Sequence, residues 1–251
     1  MKTKPLAIAA IGFLTPFAAF AQNLTAKEIV KKADDKMRGE TSRSVMEMKI
    51  IRPKWMRTVS FKHWGKGYDY TLTLITSPVK DKGKSFLKRE NDMWSWNPTI
   101  NRMVKLPPSM MAQGWMGSDY TNDDMLKESV FVTEFTHNKV GEETIDGLSC
   151  HKIELIPKTE ANVVWGKVIM WVSKEEFLQM KIEFYDEEDF LVKTHLGKDV
   201  KVMDGRKIPT TFEIIPEDKP SQKTVVTIKS IEFNIGLEDS FFTQQKMKTI
   251  Q

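Results

Sequence analysis

The sequence predicts a mainly β protein whose strands run antiparallel as a meander. Three observations predict it. From Ser44 onward apolar residues recur with period two, turn residues separate the runs at short intervals, and no stretch rich in Pro, Gly and Ser divides them. Period two puts successive side chains on opposite faces of a sheet, and tight turns join neighbours antiparallel. One continuous domain, residues 22–251, is expected.

The chain opens with two lysines in Met1 to Lys4, an almost wholly apolar run from Pro5 to Phe20, and the small-x-small triplet Ala19-Phe20-Ala21. Residues 1–21 therefore read as a secretory signal cut after Ala21, which predicts export to the periplasm. The apolar run is short and broken by Gly12 and Pro16, and no later segment approaches about 18 consecutive apolar residues, so no membrane-spanning helix is expected. Thr25-Ala-Lys-Glu28 has the form of a capping box, and Ile29, Val30, Ala33 and Met37 repeat at helical spacing up to Gly39. Strands are then predicted at 44–52, 55–64, 68–77, 84–90, 92–97, 101–106, 131–139, 149–157, 163–172, 177–186, 190–203, 207–215 and 222–233. Turns fall at Trp64-Gly-Lys-Gly67, Arg89-Glu-Asn-Asp92, Asn97-Pro98, Asp146-Gly147 and Asp204-Gly205. Pro107 to Glu128 breaks the pattern as a long methionine-rich segment ending in a short helix, Thr121 to Glu128, and a last short helix is expected from Leu237 to Phe242. Long segments of this kind inside a compact domain are usually functional.

The formal net charge of +4 falls to +2 once Lys2 and Lys4 leave with the signal, because residues 1–21 carry no acid. Near-neutrality gives no electrostatic basis for nucleic-acid binding. The single cysteine, Cys150, has no partner for an internal disulfide. His63, His137, His151 and His195 lie far apart with no metal-ligand spacing, and no cofactor is expected. His63, His137 and His195 are expected on solvated strand faces. His151 follows Cys150, but adjacent strand residues point to opposite faces and cannot share a proton. Asp119, Asp123, Asp124 and Glu128 suit the start of a helix, capped by Thr121 or Asn122. No hydrolase or phosphate-loop motif is present, so no enzymatic activity is expected.

Apolar chemistry is what remains, concentrated in Met93, Trp94, Trp96, Met103, Met110, Met111, Trp115, Met116, Tyr120 and Met125. Methionine is flexible and polarisable, so surfaces built from it adapt to variable apolar ligands such as acyl chains. A long sheet that must bury one face can curl around a cavity. Its predicted lining is Met46, Met48, Val59, Phe61, Leu72, Leu74, Trp94, Trp96 and Met103, with Met110, Met111, Trp115, Met116 and Tyr120 on a covering lid. Burial is worth roughly 0.8 kcal/mol per CH₂, so a chain of about a dozen carbons contributes close to 10 kcal/mol before ordering costs.

Several motifs resemble the LolA-like family, the outer membrane lipoprotein-sorting proteins, in its divergent branch. Ile51-Arg52-Pro53 ends the first long strand as the family's Arg-Pro does. Asn91-Asp-Met-Trp-Ser-Trp-Asn-Pro98 resembles its Trp-x-Tyr-Asn-Pro hairpin, with Trp96 in place of tyrosine. Trp115-Met-Gly-Ser-Asp-Tyr-Thr-Asn-Asp-Asp-Met-Leu126 resembles the branch's Phe-Met-Gly-Thr-Asp signature, and Asp239-Ser-Phe-Phe242 its close. The resemblance implies a half-open antiparallel β-barrel of about eleven strands, with helical lid elements over an apolar cavity. It implies a monomeric carrier that takes the acyl chains of a lipid or lipoprotein from an inner-membrane transporter, of the ABC or resistance-nodulation-division type, toward an outer-membrane acceptor. A lipid-sensing regulatory domain of the same shape is the alternative. The resemblance also assigns Arg52 as the latch that hydrogen-bonds the lid backbone.

Overall fold

The computed structural model describes residues 24–127, 130–161 and 163–250; the predicted signal, residues 1–21, lies outside them. Among the described residues thirteen strands form one antiparallel sheet, as the patterning predicts and two more than the resemblance implies. In chain order they are β1 (Thr41–Arg52), β2 (Trp55–Lys66), β3 (Tyr70–Ser77), β4 (Ser85–Arg89), β5 (Asp92–Asn97), β6 (Arg102–Lys105) and β7 (Phe135–Ile145). The remainder are β8 (Leu148–Pro157), β9 (Lys167–Ser173), β10 (Gln179–Tyr185), β11 (Leu191–Met203), β12 (Arg206–Pro216) and β13 (Lys223–Phe233).

Across the sheet the order is β6-β5-β4-β3-β2-β1-β13-β12-β11-β10-β9-β8-β7. The first and last strands pair at the centre, and β6 and β7, the two edges, do not pair with each other. The barrel is therefore open. Because β6 and β7 stand at opposite edges, the chain between them has to cross a face of the sheet, and that crossing is the methionine-rich lid. Turns hold the register: Asp146 and Gly147 at φ +49° and +77°, and Asp204 and Gly205 at +46° and +73°, give the left-handed pair that a two-residue hairpin requires.

The opening helix α1 (Ala26–Arg38) has the predicted capping box, with Thr25 and Glu28 bonded reciprocally, and it ends at Gly39. Its Ala26, Ile29, Val30 and Ala33 pack on Ile153, Leu155, Val168, Met170, Val172, Ile182 and Phe184 from β8, β9 and β10. On the same inner face, Met48, Ile50, Val59, Phe61, Ile75, Met93, Ile214 and Val226 lie under Leu106 and Trp115, with Met111, Met116, Tyr120 and Met125 packed alongside. The short helix of the lid is α2 (Asn122–Lys127).

The outer face has its own cover. The expected closing helix at 237–242 is a single 3₁₀ turn, Asp239–Phe241, followed by α3 (Gln244–Thr249), which the pattern did not predict. Phe242 and Met247 are buried there against Trp64, Leu72, Leu74, Leu87 and Trp96. Five predicted cavity residues are thereby corrected: Leu72, Leu74, Trp94, Trp96 and Met103 belong to this outer cluster. The register explains it. Phe61 faces Ile75 across the β2–β3 ladder and Trp64 faces Leu72, so Leu72 and Leu74 share the face of Trp64, opposite to Phe61. Trp94 lies opposite Leu87, and Trp96 opposite Met103, on that same outer face.

Candidate functional site

Between α1 and the lid, the inner face encloses a cavity of about 210 Å³. Met46, Phe135, Val226, Ile228, Ile231, Phe212, Ile182 and Phe184 line it from the strands, and Met37, Phe131 and Trp165 complete the lining. Of the predicted lining, Met46 and Tyr120 stand in this wall. Met48, Val59 and Phe61 lie on the same face but are sealed beneath the lid, Met48 and Val59 completely.

The lid is built around Trp115. Its indole is 1 % exposed and sits edge-on to Phe61 and Phe86, at ring distances of 5.5 and 5.4 Å. The loop that carries it is tight: Trp115 N donates to Tyr120 O at 2.6 Å, and Met116 and Gly117 take positive φ. Gly114 is required, since a Cβ there would stand 2.5 Å from the carbonyl oxygen of Ser118. Met111 and Met116 flank the indole against the sheet. Met110 contributes its carbonyl, which accepts from the Asn122 amide at 2.9 Å.

Polar contacts from Arg52, Thr224 and Arg57, and from Lys193 described below, fasten the lid to the sheet. Arg52, at the end of β1, donates to Gly117 O at 3.2 Å and to the Asp119 carboxylate at 3.0 Å, both side chains nearly buried. Thr224 of β13 donates to the same carboxylate at 2.6 Å and accepts from Asp119 N. Arg57 of β2, which the sequence did not single out, donates to Met116 O at 3.2 Å and pairs with the buried Asp81. Asp81 keeps a lowered carboxyl pKa, because the Lys84 and Arg57 cations outweigh a burial that alone would raise it.

The cavity is not wholly apolar. His63 and His195, expected on solvated faces, line it. Burial and then the Arg38 cation bring His63 down to about 4; burial and then Lys193 bring His195 down to about 3. Both imidazoles are neutral at physiological pH. His63 bonds Thr73 Oγ1 at 2.9 Å. His137 is half-buried and bonded to the carbonyl of Phe131. Thr121 caps α2, its Oγ1 accepting from Asp124 N at 3.0 Å, while the Asp124 carboxylate accepts from Thr121 N at 2.8 Å and also meets Lys193 of β11 at 2.5 Å. Burial alone would raise its carboxyl pKa, but Lys193 holds it below the ordinary value.

Elsewhere Cys150 is fully buried on the outer face, where desolvation pushes its thiol pKa up, the opposite of an activated nucleophile. Among the described residues, no three His, Cys, Asp or Glu side chains are placed to hold a metal, and no helix is long and apolar enough to cross a membrane.

A family model described as an uncharacterized protein matches residues 67–249. The chain belongs to that family, and its fold is LolA-like. No curated protein matches the sequence. A crystal structure of a DUF1329 family protein from Desulfovibrio piger superposes with a TM-score of 0.80 at 24% identity, covering 88% of this chain and 97% of that one. A domain described as outer membrane lipoprotein-sorting, from Vibrio parahaemolyticus, gives 0.77 at 22%, covering 89% and 98%. A LolA superfamily protein from Nitrosomonas europaea gives 0.76 at 22%, covering 89% and 99%. The LolA-like fold thus extends over nearly all of the described chain, with the lid segment inside the matched range.

Proposed function

We propose that this protein is a non-enzymatic periplasmic carrier that holds the acyl chains of a lipid or lipoprotein against the inner face of its sheet. It would receive them from an inner-membrane transporter, of the ABC or resistance-nodulation-division type, and move them toward the outer membrane. The observation that carries the reading is the lid: a methionine-rich segment, fastened by Arg52 and Arg57, seals an apolar face that continues into a cavity. Ligand sites commonly measure roughly 300–1,000 Å³, and the cavity's 210 Å³ falls short of that range. Cargo of acyl length therefore needs more room than the closed state offers; lifting Trp115 from Phe61 and Phe86 would add the sealed apolar face to it, so the latch would set both capacity and access.

The LolA-like fold and the lipoprotein-sorting description of the Vibrio relative support this direction of transport, and the leader-like residues 1–21 support the compartment. The test is to purify the exported protein without detergent and record native mass spectra, followed by organic extraction. About one acylated molecule per chain is the expected result. Protein that carries no lipid and fails to bind a fluorescent fatty acid would remove the carrier reading.

A further inference from the structure

We infer that the cavity selects anionic amphiphiles, with a carboxylate or phosphate on an apolar body, and that Lys193 and His195 receive the anion. The inference rests on the carrier reading and adds the chemical class of the cargo.

Lys193 lies inside the molecule, 5 % exposed, with its ammonium 4.7 Å from the centre of the Trp165 ring and 4.9 Å from that of Phe184. Both rings line the cavity. Cation–π contacts from the wall therefore hold the charge in place independently of its carboxylate partner. That partner, Asp124, belongs to the lid. Lifting α2 takes the carboxylate away and leaves the ammonium behind against the Trp165 and Phe184 rings. Removing one partner of a buried pair is strongly unfavourable, so the open state needs a replacement anion, and the cargo is what enters as the lid leaves. An amine-bearing cargo does not solve the problem, because the charge that stays on the wall is positive.

His195 supplies the second group. It is two residues along β11 and so on the same face, opposite Ile182 as Lys193 is opposite Phe184. Its ring lies 5.3 Å from Tyr120 and 4.7 Å from Phe184, and its Nε2 is buried with no hydrogen-bond partner. A neutral imidazole protonated at Nε2 donates one hydrogen bond to an anion placed at Lys193. In the closed state Asp124 acts as a resident anion that cargo displaces, so head-group binding and lid opening become one exchange.

The experiment measures dissociation constants of the purified protein for two matched pairs: oleic acid against oleyl alcohol, and oleoyl lysophosphatidylglycerol against monooleoylglycerol. Wild type is expected to prefer the anionic member of at least one pair by about tenfold or more; preference in the first pair alone points to a carboxylate, in the second alone to a lipid phosphate. Lys193→Met should bring that ratio close to one, and Asp124→Asn should tighten anionic binding. Should either single variant melt early, the Asp124→Leu/Lys193→Met double variant, which leaves no unpaired charge, replaces it and should likewise lose the preference. Equal binding of both members by wild type, or an unchanged ratio without Lys193, overturns the inference and leaves the carrier reading standing. Failure of wild type to bind any of the four overturns both.

Discussion

Arg52 was legible as a motif residue but its geometry was not, because the atoms it meets lie 65 and 67 positions away in the chain. Nothing in a strand-end arginine distinguishes a solvated side chain from one that grips a carbonyl across the sheet. Arg52→Leu should cost about 2 kcal/mol, less than the 3–5 kcal/mol of a fully buried pair, since Asp119 keeps the Thr224 hydroxyl. Amide exchange over residues 115–120 should then accelerate roughly thirtyfold; exchange unchanged from wild type would mean that Arg57 and Thr224 suffice to hold the lid. The burial of the histidines is hidden from the sequence for a related reason. Period two tells that His63 and His195 share a face with their i±2 neighbours, but not which face is covered. Their folded pKa values of about 4 and about 3 lie below the ordinary 6.5. The unfolded chain therefore binds protons that the native one refuses, and stability is lost as pH falls from about 6.5 toward those values, by up to about 1.4 kcal/mol per pH unit for each. Urea midpoints between pH 7 and pH 5 should show that slope, and the imidazole resonances of both residues should stay untitrated across it. A normal titration of either would place it in solvent.

The strands and α1 were legible because hydrophobic period, turn residues and a capping box all agree locally. What failed at this scale was assignment of faces. Leu72, Leu74, Trp94 and Trp96 alternate correctly, yet the sheet buries both sides, one under the lid and one under the C-terminal turn and α3. A strand apolar on both faces gives no sign of which face holds a ligand. The helix α3 went unseen because it is six residues long and buries chiefly Met247. Phe242 is the test of this element. Fully buried and stacked with Tyr70 at 5.6 Å, it should cost about 3–5 kcal/mol on replacement by alanine. That loss should appear in urea unfolding without weakening fatty-acid binding, whereas a matching loss of binding would move the ligand to the outer face.

For the molecule as a whole, one topological fact organises the rest: an antiparallel sheet whose edge strands β6 and β7 are consecutive in the chain yet stand at opposite ends of the strand order, twelve positions apart. The connecting lid must span the inner face, so it is at once a core element and the barrier over the cavity. Its fastening points, Arg52, Arg57, Thr224 and Lys193, come from four different strands. The measurement that tests this account most directly is photo-crosslinking with a fatty acid carrying a diazirine near the chain terminus, mapped by peptide mass spectrometry. Saturable labelling of Met46, Phe131, Trp165, Phe212 or Ile228, enhanced in Arg52→Leu, is predicted. Labelling confined to Trp94, Trp96 and Met103, or no saturable labelling, would contradict it.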